Sequence, residues 1–583
     1  MRNFLTPRSA ERGERRHRHQ SLAMKDVKKK KRKAGTLSCV AAVMLLCCAQ
    51  RTDADYTTVT LYVSGNPRNP DVALGKLDPV GGAAYGTLND SLLSTGWAEL
   101  EVRSGYGGGR GAIGDSDVAF LAGYVEGYLT ARHINNHFKN LYPTFIKDNK
   151  THAILEDFLR KQDSWARVQS RENHNDPFWR NVDYVLSQLD GMIAGATRRN
   201  AEHGIKTDLS FPALYLNAVG DVIDLVNALV PSRRPPWLSL SKAEAKRLVQ
   251  KSGHCSALIK ILPGYENIFM SHSSWFTYAA TMRIFKHWDL NILDASTASR
   301  QMSFSSYPGF LESLDDYYLL SSGLVLLQTT NNVFNDSLYA AITPLSLLAW
   351  QRVRVANMMA RGGRQWGQVF ARHNSGTYNN QYMVLDLKKI ELKKNIADEA
   401  LFVVEQIPTL VVSEDQTDIL RKGYWPSYNV PFYESVYNLS GYPEFVATHG
   451  SDFSYELAPR AKIFRRDHGS VVDLASMKGI MRSNNYKYDP YSEGDPCDCI
   501  CCRGDLNPTK PAPDGCYDTK VTDYFNARNF TSFVVNGPTV QPDTPPFSWS
   551  KFNGTSHVGL PPMYDFPFVT VWPATFTATA GLP

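Results

Sequence analysis

His254-Cys255-Ser256-Ala257-Leu258-Ile259-Lys260-Ile261-Leu262-Pro263-Gly264, followed by Asn267-Ile268-Phe269-Met270-Ser271-His272-Ser273-Ser274-Trp275, is the stretch that decides the fold. Residues 256–262 and 267–273 are two apolar, β-prone runs, and the Pro-Gly pair between them signals a turn, so the stretch reads as a hairpin. Setting Leu262 opposite Asn267 places Cys255 opposite Ser274, with Trp275 and His272 near the thiol. A one-residue slip would change which side chains share a face. Cys255 stands alone, because the other eight cysteines lie at 39, 47, 48, 497, 499, 501, 502 and 516.

A cysteine works as a nucleophile only as the thiolate, and a free thiol has a pKa of about 8.5, so a base must stand close by. His272 is one candidate. A second appears if the chain is cut between His254 and Cys255, because the new α-amine has a pKa of about 7.7–8.0 and belongs to the thiol's own residue. The same thiol can release itself by attacking the preceding carbonyl. The competing reading is a buried core cysteine, a common residue type in protein interiors.

Outward from the hairpin, the first 49 residues read as a signal peptide with a long basic head. The run Lys28-Lys29-Lys30-Lys31-Arg32-Lys33 precedes an apolar stretch from Leu37 to Ala49 that falls short of a bilayer span. Met24 is an alternative start. Residues 1–49 hold 13 of the 63 basic and 3 of the 57 acidic groups, so 50 basic and 54 acidic groups remain, a net charge of −4. The basicity therefore belongs to the leader, and the remainder has no nucleic-acid footprint. Asn-x-Ser/Thr sequons at Asn89, Asn149, Asn335, Asn438, Asn529 and Asn553 fit a glycosylated luminal or secreted protein.

Residues 55–64 read as a strand, and 105–114 as a glycine-studded loop. Helices are expected over 115–142 (capped by Asp115 or Ser116), 151–172, 177–202 (capped by Asp176 before Pro177) and 212–229. Residues 231–254 read as a linker, opened by Pro231-Ser232-Arg233-Arg234-Pro235-Pro236-Trp237. Beyond the hairpin, strands are expected at 381–387 and 402–412, with helices at 276–288 and around 337–360. Helix-rich first part, then strands and helices, gives an α+β layered fold.

Longer runs carry a resemblance. Cys255 to Lys260, Leu262-Pro263-Gly264, Ser271-His272 with Trp275, Ser306-Tyr307-Pro308-Gly309, Gln328-Thr329-Thr330-Asn331, Asn374 to Tyr382, Tyr428-Asn429-Val430-Pro431 and Pro459 to Arg466 resemble the phospholipase B-like (lamina ancestor-like) family, as does Ala122 to Tyr128. The resemblance covers nearly everything after the leader. It implies an N-terminal nucleophile hydrolase with a four-layer α/β/β/α sandwich, cut before Cys255 into fragments 50–254 and 255–583 that form one globular unit. It implies removal of fatty acyl chains from glycerophospholipids, with transient membrane-surface contact and no cofactor or metal. Amide hydrolysis on the same site and a non-enzymatic lipid-binding glycoprotein are the alternatives.

On that pattern Asn429 donates to the oxyanion, and His272, Trp275, Thr330 and Arg460 line the pocket. Read without it, Asn429 before Val-Pro is a turn residue and Arg460 beside Pro459 a surface charge. Cys497, Cys499, Cys501, Cys502 and Cys516 lie in a polar loop region. Their spacing lacks a repeated zinc pair, so disulfides are expected in an oxidising compartment. Five is odd. Cys499 is the one that the family picture leaves over, which makes Cys497, Cys501, Cys502 and Cys516 the disulfide candidates.

Overall fold

Two large antiparallel-rich sheets organise the chain. The computed structural model describes residues 56–107, 111, 113–251 and 253–574, so the leader reading lies outside the described residues. The larger sheet has eleven strands. From one edge it runs Leu410–Asp415, Leu401–Ile407, Asn380–Asp386, Leu324–Thr330, Tyr318–Leu320, Gln301–Ser306 and Arg283–Leu290. It continues through Trp97–Ser104, Ala84–Asn89, Tyr56–Tyr62 and Asp71–Leu74. Its one parallel junction pairs Trp97–Ser104 with Arg283–Leu290. Strands from both sides of Cys255 therefore share one hydrogen-bonded sheet. The smaller, seven-stranded sheet is centred on His254–Ile261 and Ile268–Thr277, with Tyr424–Ser427 on one flank and Asp518–Asp523 and Asp514–Cys516 on the other.

The expected hairpin forms in the expected register. Cys255 pairs Ser274, Ala257 pairs His272, and the Leu262 N–H donates to the Asn267 carbonyl at 3.0 Å. Leu324–Thr330 of the larger sheet packs on His254–Ile261 of the smaller, while helix Leu474–Met481 lies against Ile268–Thr277 and Asp518–Asp523.

Helix Asp115–Phe145 covers the larger sheet's N-terminal strands, and helix Pro177–Glu202 packs along that helix. Their approach is set by glycine. A Cβ on Gly123 would meet the Gln188 carbonyl oxygen at 1.9 Å, and one on Gly191 the Phe120 carbonyl oxygen at 1.9 Å, so the two backbones touch directly and reciprocally. The second helix starts as its sequence says, with Pro177 in the first turn and the Asp176 carboxylate accepting from the Phe178 N–H at 2.9 Å. A buried pair ties this layer to the sheet: Lys286 Nζ donates to Glu126 at 2.7 Å, and Trp288 Nε1 donates to the same carboxylate at 3.0 Å.

Several expectations give way. The N-cap of the 115 helix is Gly114, not Asp115 or Ser116. The helix expected over 212–229 is two, Ser210–Asn217 and Val219–Leu229, broken at Ala218. Residues 276–288 are mostly strand: Arg283–Leu290 is buried along its whole length, and a strand covered on both faces loses the alternation that separates it from a helix. The 402–412 run is a tight hairpin, because Pro408 and Thr409 (φ 72°) turn the chain between Leu401–Ile407 and Leu410–Asp415. Of the helix expected around 337–360, Asp336–Ala341 is a 3-10 turn and only Ala349–Met359 is α. The 231–254 linker holds a ten-residue helix, Lys242–Lys251.

Candidate active site

Cys255 enters the smaller sheet one residue after its first strand begins. It is 6% exposed, carries no disulfide, and lines a mostly apolar cleft. Val219, Ile223 and Asp224, from one face of helix Val219–Leu229, line it together with Leu314, Val333 and Tyr378, whose backbone N–H donates to Asp224 at 2.9 Å. Burial pushes the thiol up to about 12, opposed by a hydrogen bond from the Trp275 backbone and by the Lys520 charge, and reinforced by Asp315. In the uncut chain the thiol is therefore protonated.

Side chains grip the backbone of Cys255 on both sides. Its N–H donates to Asn429 Oδ1 at 3.0 Å. Its carbonyl accepts from Arg460 Nη1, which also reaches Ser256 Oγ at 3.3 Å. Asn429 sits at φ 69°, the left-handed turn that its side chain tolerates better than most. Its Nδ2 donates to the Thr330 carbonyl at 2.6 Å, and its own carbonyl accepts from Tyr442 Oη at 3.0 Å. So Asn429 is both the turn residue and a partner of the cysteine. Arg460 is no surface charge. It is 9% exposed, with its guanidinium 4.3 Å from the centre of the Trp275 ring.

His272 shares the thiol's face of the hairpin, but its ring is committed elsewhere. Nε2 donates to the Gln328 carbonyl at 2.8 Å, leaving Nδ1 as the acceptor 3.5 Å from Ser274 Oγ. Burial, reinforced by Lys520, holds its pKa well below the ordinary histidine range, so the ring is neutral. His254 is buried and neutral for the same reason, here with Arg460, and stacks on Trp275. Trp275 and Thr330 both line the cleft.

Beneath the hairpin lies a charge group that the sequence did not reveal. Lys520 Nζ donates to Ser274 Oγ at 2.7 Å and to Asp518 at 2.8 Å, and Arg283 pairs Asp315 and, at 3.0 Å, Asp518. Ser274 was legible through the register, as the residue opposite Cys255. Lys520 and Asp518 share strand Asp518–Asp523, and Asp315 lies in the bend before Tyr318–Leu320, far from both in sequence.

Cys497 is bonded to Cys502 and Cys501 to Cys516, which leaves Cys499 free and buried. That loop supports the Cys255 strand: Ser256 Oγ donates to the Ile500 carbonyl at 2.7 Å, and Cys516 pairs Trp275 across the sheet. Asn149, Asn438, Asn529 and Asn553 are exposed and Asn335 is half-buried, but Asn89 is buried at the end of its strand. Among the described residues, no cluster of His, Cys, Asp or Glu has the makings of a metal site, and no helix is long and apolar enough to cross a membrane.

Fold and site together define a mixed α+β protein in which a cysteine-headed strand, its backbone held by side chains, floors an apolar cleft. The phospholipase B family model matches residues 84–571. Phospholipase B-like 1 of Rattus norvegicus is 58% identical over 492 residues, covering 84% of this chain and 88% of the relative. Phospholipase B of Crotalus adamanteus is 53% identical over 494 residues, 84% of this chain and 89% of the relative. Phospholipase B-like protein D of Dictyostelium discoideum is 35% identical over 504 residues, 84% and 88% respectively. The chain belongs to the phospholipase B family.

Proposed function

We propose that the protein is a phospholipase B-like acyl hydrolase whose nucleophile is Cys255, exposed by scission of the His254–Cys255 bond. The names of its relatives support ester hydrolysis. One observation carries the nucleophile: the Cys255 nitrogen is held by a side-chain amide, Asn429 Oδ1, so a free α-amine formed there stays in place beside its own thiol.

In the scission step the Cys255 sulfur attacks the His254 carbonyl, the His254–Cys255 C–N bond breaks, and the nitrogen takes up the thiol proton. Water then hydrolyses the thioester, leaving a His254 carboxylate and a free thiol. In turnover the α-amine accepts the thiol proton and the thiolate attacks the acyl ester. The alcohol leaves with that proton, and water releases the fatty acid. The amide of Asn429 is the donor that we assign to the oxyanion. Thr330 and Trp275 line the pocket, His272 holds the Gln328 carbonyl two residues before Thr330, and Arg460 fixes the Cys255 carbonyl.

The scaffold is that of a four-layer N-terminal nucleophile hydrolase, a reading supported by the contact between the two sheets and the helices on their outer faces. Fragments 50–254 and 255–583 remain one unit, because strands of both lie in the larger sheet. Secretion or lysosomal delivery, glycosylation at the exposed sequons and transient contact with a lipid surface complete the proposal.

N-terminal sequencing of the purified protein tests the first step, with a fragment beginning at Cys255 expected. Processed protein is then offered phosphatidylcholine, lysophospholipid and N-acyl amides. Release from the lipids supports the hydrolase, release from the amides alone favours amide hydrolysis, and release from none leaves a lipid-binding glycoprotein.

A further inference from the structure

A second cavity lies against the scissile bond. It shares His254, Trp275 and Asn332 with the apolar cleft and extends away from it along Asn429, Arg460, Asp452 and Asp498. Helix Lys242–Lys251 roofs it through Lys246, Val249 and Gln250, anchored by Ala245 and Val249 against Phe445. The roof also delivers a cation. Lys246 Nζ sits 2.7 Å from Asp495 Oδ2 and 2.5 Å from Asp498 Oδ2, while Lys242 Nζ sits 2.7 Å from Asp452 Oδ2. A substrate whose ester lies at Cys255, with its acyl chain in the apolar cleft, can place its alcohol side in this second cavity.

A separate observation marks the cavity as a ligand site. Trp275 Nε1, on a side chain 2% exposed that lines both cavities, has no hydrogen-bond acceptor, so a buried donor is left open. Tyr428 and Phe453 add aromatic faces. Arg460 is already committed to the Cys255 carbonyl and the Trp275 ring. Asp452 and Asp498 line the cavity, and Asp495 is the second partner of Lys246, so all three lose their lysines once the roof moves.

Resting on the hydrolase reading above, we infer that this cavity is the headgroup subsite, that Asp452, Asp495 and Asp498 select substrates bearing an ammonium group, and that Lys246 occupies the ammonium position in the uncut chain. The open Trp275 N–H supplies a donor for a phosphate or ester oxygen of the same ligand. Burial raises Asp498 to about 6 even with Lys246 beside it, with Asp495 and Asp452 adding to the rise, so a carboxylate stripped of its lysine gains from a replacement cation. An anionic headgroup would meet three like charges.

The test uses two single-chain probes that contain no acyl ester, so binding is read without turnover. At pH 7.5, processed protein is titrated with dodecylphosphocholine and with dodecyl phosphate, both below their micelle concentrations, by calorimetry. The choline probe is expected to bind at least tenfold more tightly, and the double variant Asp495→Asn, Asp498→Asn to bring the two within about twofold. In the uncut chain, Lys246→Met is expected to strengthen binding of the choline probe, which covers the case where the double variant folds poorly. Equal affinity for the two probes, or a preference unchanged in both variants, overturns the inference. Hydrolysis without cation preference sinks this subsite alone; cation preference without hydrolysis sinks the hydrolase reading alone.

Discussion

Cys255 and Cys499 are both free, both buried, and both pushed up to about 12 by burial. By thiol acidity they are the same residue. Their surroundings differ. Cys499 lies in a loop clasped by the Cys497–Cys502 and Cys501–Cys516 bonds, where it meets Ser492 Oγ at 3.2 Å. Cys255 heads a strand at the floor of a cleft, with side chains holding its nitrogen and its carbonyl. Burial alone therefore marks neither as a nucleophile. What separates them is place: Cys255 lines a cleft with its nitrogen held by Asn429, so the proposed scission would set its own amine beside a substrate site.

The largest expected effect separates the two thiols directly. Cys255→Ala is expected to abolish both chain scission and acyl release, while Cys499→Ala leaves each within about twofold, as read by gel mobility and fatty-acid release. Loss of scission in the second variant and not the first would invert the comparison. Next comes Asn429→Ala, which removes the partner of the Cys255 nitrogen. Acyl release by processed protein should fall by about 10²–10³ in kcat. A change confined to KM would move Asn429 out of the catalytic group.

On the side of the loop, replacing Cys501 and Cys516 by serine should cost about 3 kcal/mol of stability, from a closed loop of roughly 15 residues, read as a lower urea midpoint. Because Ser256 leans on the Ile500 carbonyl, acyl release should fall as well. Stability loss with full activity would show that the loop does not position the nucleophile strand.

The smallest effect concerns carboxyls, one in each region. Burial raises Asp224, at the cleft wall, to about 7, and Asp498, in the loop, to about 6. An unfolded aspartate titrates near about 3.9, so between pH 4 and 7 the folded chain keeps a proton that the unfolded chain has lost. Asp224 therefore costs stability as pH rises through that window. The Tm of Asp224→Asn, measured against the parent chain, should improve from pH 4 to pH 7 and then level off. A difference that does not change with pH would mean that Asp224 is ionised throughout.

The sequence carried the hairpin down to its register, because two apolar runs and a Pro-Gly turn leave few pairings that keep Cys255 at the head of a strand. It also carried helix 177–202, whose Asp-Pro start is a local signal. It misread 276–288, where a strand buried on both faces carries Arg283, Lys286 and Asp289 inside the core and shows no alternation. Of the site, Cys255, Asn429, Trp275, Thr330 and Arg460 do converge, and the resemblance is what picked out all but Cys255 and Trp275. Lys520, Asp518 and Asp315 escaped because a strand meets a bend 205 residues away from it in sequence, counted from Lys520 to Asp315. The linker helix escaped because its few apolar positions pack only on Phe445 and its neighbours, a partner invisible from the segment itself.

The central claim is that Cys255 becomes reactive only when the His254–Cys255 bond is broken. Iodoacetamide labelling of uncut and processed chains in one preparation, followed by mass spectrometry at pH 7.5, tests it most directly. The account predicts that Cys255 of the uncut chain labels as slowly as Cys499, and that processing speeds Cys255 by about 10³, the effect of bringing a thiol from about 12 toward the ordinary value of about 8.5. Rapid labelling of Cys255 in the uncut chain would contradict it.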